Sequence, residues 1–129
     1  MIAVDTSALM AIALNEPRAE DCITALTAEN ELLISAVSLT EALIVAGQRN
    51  LAVEMAKVLD RFGFNVIPVT EATAQTIAAI YRSWGKGNHP AALNLGDCFA
   101  YQVAMEYGCP LLYVGEDFAK TDVPAALTP

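Results

Sequence analysis

The chain has 129 residues, 55% hydrophobic and 17% charged. That length predicts one domain, 1–129, burying roughly two-thirds of its unfolded surface without metal or disulfide staples, and the apolar share excludes intrinsic disorder. Seven basic residues against fifteen acidic ones give a formal charge of −8, which disfavours holding nucleic acid by charge alone and obliges any nucleic-acid enzyme built on it to recruit cations.

In chain order, Ile2–Val4 is short, apolar and branched, as a buried parallel strand should be. Pro17 starts a helix, and Leu32–Ile34 is a second strand. Ser38 opens a helix toward Gly47. Leu51, Met55, Val58, Leu59 and Phe62 recur at helical spacing, with Gly63 as a stop signal. Val66–Ile67 is a third strand. Ala74, Ile77, Ala78 and Tyr81 repeat the helical pattern from near Thr70. A loop rich in breakers, Gly85-Lys86-Gly87-Asn88-His89-Pro90, leads to a helix running from Asp97 through Phe99, Val103 and Tyr107, closed by Gly108 and Pro110. Leu111–Val114 is a fourth strand, and a short fifth lies near Val123–Ala126. Strands alternating with helices predict an α/β fold with a mainly parallel sheet covered on both faces.

Cys22, Cys98 and Cys109 are odd in number and form no CxxC pair. They read as small buried hydrophobes in a reducing compartment. The start Met1-Ile2-Ala3-Val4-Asp5 lacks the basic end and long apolar core of a signal peptide, and no apolar run approaches a membrane span. The expectation is a cytoplasmic protein with no membrane association.

Ligands of open parallel sheets bind beyond the carboxyl ends of the strands. Asp5 follows the first strand directly, with Thr6 and Ser7 behind it. Glu41 sits in the first turn of the helix after Leu32–Ile34, Asp97 opens the helix before the last inner strand, and Asp117 follows that strand across Gly115-Glu116. Ser38-Leu39-Thr40-Glu41 also matches a capping box, and Asp97 and Asp117 near helix starts suit the helix dipole. Neither account covers Asp5, an acid ending a buried strand with no basic neighbour in sequence. Carboxylates gathered together resist ionisation unless a cation compensates them, and within the four acidic segments Lys120 is the only basic residue. Hard oxygen donors with little protein cation nearby suit Mg²⁺ or Mn²⁺. Such an ion acidifies water and clamps phosphate oxygens, which points to phosphodiester hydrolysis.

The segments Val4-Asp5-Thr6-Ser7-Ala8-Leu9, Thr40-Glu41-Ala42, Gly96-Asp97-Cys98-Phe99-Ala100-Tyr101 and Gly115-Glu116-Asp117-Phe118-Ala119-Lys120-Thr121-Asp122 resemble the signature blocks of PIN-domain ribonucleases, in order and spacing, over essentially the whole chain. The match is to the VapC-type toxins of type II toxin–antitoxin pairs. The resemblance implies a three-layer sandwich around a five-stranded parallel sheet and a Mg²⁺- or Mn²⁺-dependent endoribonuclease. It implies Asp5 and Asp97 as metal ligands, Glu41 and Asp117 completing the catalytic pocket, and Ser7 or Thr6 bonded to a carboxylate or a water. It further implies a homodimer and a cognate antitoxin that plugs the pocket. Position 116 departs from the pattern, being Glu where relatives often carry Asn or a shorter acid, so either Asp117 alone or Glu116 as well faces the metal.

Arg82, Lys86 and His89 form the densest basic patch, which reads either as a contact to the RNA backbone or as a solvated helix end. Trp84 and Tyr81 read as core or interface residues rather than base-stacking platforms. A receiver-type signalling domain would need an Asp ending the third strand, where Ile67 runs into Pro68-Val69-Thr70. A haloacid-dehalogenase-type phosphatase would need a second Asp at position 7, which is Ser. The alternative that remains is a non-catalytic PIN-like interaction module that keeps the acidic pocket.

Overall fold

In the computed structural model, which describes residues 1–128, four strands form a parallel sheet in the order β3-β2-β1-β4. These are β1 (Ile2–Val4), β2 (Leu32–Ser35), β3 (Asn65–Ile67) and β4 (Leu111–Leu112). Side chains alternate across the strands as the pleat requires. Ile2, Val4, Leu32, Ile34 and Leu112 enter a core on one face, and Ala3, Leu33, Ile67 and Leu111 a second core on the other. The first core is closed by α1 (Thr6–Ala13), α2 (Ala19–Thr27), α3 (Ala36–Gln48) and α4 (Ala52–Phe62). The second is closed by α5 (Glu71–Trp84) and α6 (Leu95–Tyr107). This is the expected three-layer arrangement.

The fifth strand does not form. Its segment makes one isolated parallel bridge, Leu111 to Ala125, in which Leu111 N–H donates to the Pro124 carbonyl at 2.8 Å and Ala126 N–H to the Leu111 carbonyl at 2.9 Å. Pro124 has no N–H to offer a longer ladder. β4 is likewise shorter than expected, because Val114 turns its amide away from the sheet and onto the Ser7 hydroxyl, 3.0 Å away.

The helix boundaries follow the caps. Ser35, not Ser38, caps α3 by accepting the Val37 amide at 3.2 Å, so the expected Ser38–Glu41 capping box is absent and Ser38 lies inside the helix. Its hydroxyl is buried without a partner among the described residues. Asn94 caps α6, which begins two residues before Asp97. Asp117 stands in a turn rather than at a helix start. Gly63 and Gly108 end α4 and α6 in the left-handed conformation, as their positions predicted. Periodicity did not mark α1, which is apolar on every side and mostly buried. All three cysteines are free and buried, and no described helix is long and apolar enough to cross a membrane.

Candidate active site

The chain runs outward from β1 through β2 to β3, then crosses back to place β4 on the other side of β1. The strand order reverses between β1 and β4, and an open α/β sheet leaves its ligand crevice at that point, beyond the carboxyl ends. Asp5 leaves β1 there, and the segment carrying Asp117 leaves β4.

Each buried acid is held by a helix start. Asp5, 6% exposed, caps α1, with its Oδ2 accepting the Ser7 amide at 3.0 Å. Asp97, 9% exposed, shares a capping box with Asn94. Its Oδ2 accepts the Asn94 amide at 3.0 Å and its own amide donates to Asn94 Oδ1 at 2.8 Å. The helix-start reading of Asp97 is therefore correct as far as it goes. It uses one carboxylate oxygen and leaves the other with no protein donor among the described residues.

Glu41 arrives from α3, which packs against α6. A Cβ built on Gly96 would stand 3.2 Å from Glu41 Oε2 and 3.4 Å from its Oε1, so the carboxylate lies directly over the first turn of α6. Asp117 is exposed. Its segment is tied back by the Val114–Ser7 bond and by Phe118, which is buried in the second core.

The two buried acids, Asp5 and Asp97, feel the other carboxylates. Burial pushes the Asp5 carboxyl up, the Ser7 hydroxyl and amide oppose that, and Glu41 and Asp117 add to it. Burial also leads for Asp97, with the Asn94 amide opposing and Asp5, Asp117 and Glu41 reinforcing, so that its pKa is pushed up to about 6. Every side-chain charge acting on these two groups is another carboxylate. Such a set of hard oxygen donors, not balanced by a lysine or arginine, fits a divalent cation. Among the described residues no three acidic, histidine or cysteine side chains stand close enough to enclose an ion by themselves. An ion held there would therefore draw on water as well as protein oxygens, as Mg²⁺ commonly does.

The supporting hydroxyls divide. Ser7 lies between Asp5 and the Asp117 segment, whereas Thr6 turns away and donates to the Ser38 carbonyl at 2.9 Å. Arg82 ends α5, and Lys86 sits in the following loop with its amide on the Leu93 carbonyl. Neither is among the charges that act on Asp5 or Asp97. His89 accepts the Ala91 amide on Nδ1 and meets the Trp84 ring edge-on, an architectural role. Sequence reasoning missed Asn94, although Asn94-Leu95-Gly96-Asp97 has the spacing of a capping box, and gave Gly96 no role of its own. It named Tyr101 only within a signature block, without the bond its hydroxyl donates to Asp122 at 2.6 Å, which pins the segment after Asp117 to α6.

A family model for the PIN domain matches residues 2–124. Ribonuclease VapC30 of Mycobacterium tuberculosis is 39% identical over 129 residues, covering 98% of each chain. Ribonuclease VapC28 of the same organism is 38% identical over 128 residues, covering 96% of each. Among solved structures, M. tuberculosis VapC20, described as a sarcin–ricin loop cleaving toxin, superposes with a TM-score of 0.78 at 17% identity over 100% of both chains. A toxin–antitoxin complex from Klebsiella pneumoniae gives 0.70 at 20% identity over 95% of this chain and 93% of that one. The family model's match over residues 2–124, together with identity sustained along nearly the whole length of these relatives, makes this chain a member of the PIN-domain family.

Proposed function

We propose that this protein is an endoribonuclease that uses Mg²⁺ or Mn²⁺ to hydrolyse RNA phosphodiester bonds, acting in the cytoplasm as the toxin of a type II toxin–antitoxin pair. Its partners are RNA, a cognate antitoxin that occupies the acidic pocket, and a second copy of the chain in a homodimer. The observation that supports this reading most is that Asp5 and Asp97 feel Glu41 and Asp117 electrostatically, with no basic side chain among the charges acting on them. The family match and the curated names of the relatives support the same reading.

Asp5 and Asp97 are the residues that would hold the ion, each pre-oriented by its helix cap. A divalent ion there supplies positive charge to the phosphate and acidifies water. Glu41 and Asp117, on the more open side, orient the attacking water and accept its proton. Ser7 keeps the Asp117 segment beside Asp5. Arg82 and Lys86 are solvent-exposed and would contribute at most peripheral contacts to the RNA backbone.

The test is cleavage of a panel of structured RNAs with and without Mg²⁺ or Mn²⁺. Asp5→Asn should lower turnover by about two to three orders of magnitude, the usual cost of losing one electrostatic element of a site, with circular dichroism unchanged. Wild-type protein that cleaves nothing with either ion would instead support the non-catalytic interaction module.

A further inference from the structure

A cavity of about 260 Å³ opens along the segment that leads from β4 to Asp117, with Arg18, Tyr113, Val114, Glu116 and Leu127 in its walls. We infer that this cavity is a nucleobase subsite for the RNA, and that guanine is the base it fits. The inference rests on the ribonuclease reading and names part of the substrate that reading leaves open.

Position comes first. Three of those walls, Tyr113, Val114 and Glu116, immediately precede Asp117 in the chain. The Val114 amide donates to Ser7 Oγ at 3.0 Å, and the Ser7 amide donates to Asp5 Oδ2 at 3.0 Å. Two hydrogen bonds therefore separate the cavity wall from the central carboxylate. A base held here would belong to a nucleotide near the acids, and the cleavage-position readout below identifies which one.

The walls suit a flat, neutral ring. Tyr113 is half-buried, and its own ring is steadied by Phe118, with centroids 5.1 Å apart. Aromatic side chains of this kind stack bases, and Val114 and Leu127 supply apolar edges. The volume suits one ring system rather than a helix or strand. A phosphate is a poor occupant, because Glu116 lies in the wall and the acidic cluster is adjacent.

The polar groups select among bases. Arg18 is oriented in advance, with Nε donating to Asp21 Oδ2 at 3.0 Å and Nη2 to the Thr128 carbonyl at 3.2 Å. Its remaining nitrogen, Nη1, makes no protein hydrogen bond among the described residues. Glu116 is exposed, and its two oxygens are acceptors only. Guanine alone among the four bases carries two adjacent donors, N1–H and the 2-amino group, for a carboxylate. Its opposite edge offers the O6 and N7 acceptors that arginine reads. Cytosine and adenine each place an acceptor beside their amino group, and uracil flanks its single N–H with two acceptors.

The experiment compares short unstructured RNAs that differ at one position, guanosine or inosine, the latter lacking only the 2-amino group. In wild-type protein one position near the cut should show kcat/KM about tenfold higher for guanosine, the order expected for losing half of a bidentate contact. In Glu116→Gln that ratio should fall toward one, and because it is taken within each variant, a general loss of activity cancels. Equal rates in wild-type protein, or a ratio preserved in Glu116→Gln, overturn the subsite while leaving the ribonuclease standing. If no RNA is cleaved, the ribonuclease reading fails and binding decides the cavity. Saturation-transfer NMR on the metal-free chain should then favour guanosine monophosphate over inosine monophosphate, with the difference lost in Glu116→Gln. Binding of an arginine-bearing peptide but of neither nucleotide assigns the cavity to a protein partner and overturns the inference.

Discussion

Asp97 carries a structural duty and, in the proposed function, a chemical one, and the two can be measured apart. One oxygen closes the Asn94 capping box while burial and three other carboxylates push the group's pKa up to about 6. Between the ordinary value of 3.8 and about 6, the folded metal-free protein keeps a proton that the unfolded chain has released. Its stability therefore falls as pH rises through that window. Melting temperature measured in chelator should decline across the window in wild-type protein and decline less in Asp97→Asn, whose amide oxygen still accepts the cap bond. Gly96 offers a second separation. Alanine there raises helix propensity by about 1 kcal/mol, yet its Cβ would meet Glu41 Oε2 at 3.2 Å. The end of a flexible side chain gives way cheaply, so Gly96→Ala should melt no lower than wild type while RNA cleavage drops on the order of tenfold as Glu41 is displaced. Unchanged cleavage would remove Glu41 from the working set.

At the scale of elements, the site is an assembly of helix starts. Asp5 caps α1, Ser35 caps α3 one turn and a half before Glu41, and Asn94 caps α6 at the turn that carries Asp97. The positive ends of three helices therefore stand near the four acids and offset part of their repulsion. Thr6 links two of these helices through its buried bond to the Ser38 carbonyl. Thr6→Val removes the donor at nearly constant shape and should cost about 1 kcal/mol of stability, the net worth of one hydrogen bond, since the Ser38 carbonyl keeps its place in the α3 ladder. Urea unfolding midpoints would show it. Most elements were legible beforehand because their signals are local. Gly63 and Gly108 ended α4 and α6 where left-handed stops were expected, and α5 opened at Thr70. The start of α3 was misplaced because Ser35 and Ser38 are equally good caps in isolation. Ser35 won because β2 continues to it, leaving Ser38 buried inside the helix. α1 gave no periodic signal because it is covered on all sides.

For the whole molecule, the net charge of −8 governs how RNA is held. With few cations to displace counterions, the logarithm of RNA affinity should fall with the logarithm of salt at a slope of only about −1 to −2. Titrations of a non-cleaving variant across a range of KCl would check it, and a steep slope would point to a basic surface elsewhere. The sequence by itself determined the alternation of strands and helices and the parallel class of the sheet, and it proposed the four acids, because hydrophobic period, stop signals and residue chemistry are written along the chain. What only the tertiary structure decided was the strand order that reverses between β1 and β4, the failure of a fifth strand at Pro124, the turn of Thr6 away from the acids, and the cavity joining Arg18 to Glu116. Each of these depends on which distant segments come to lie side by side, and that is settled by packing across the two cores rather than by any local preference.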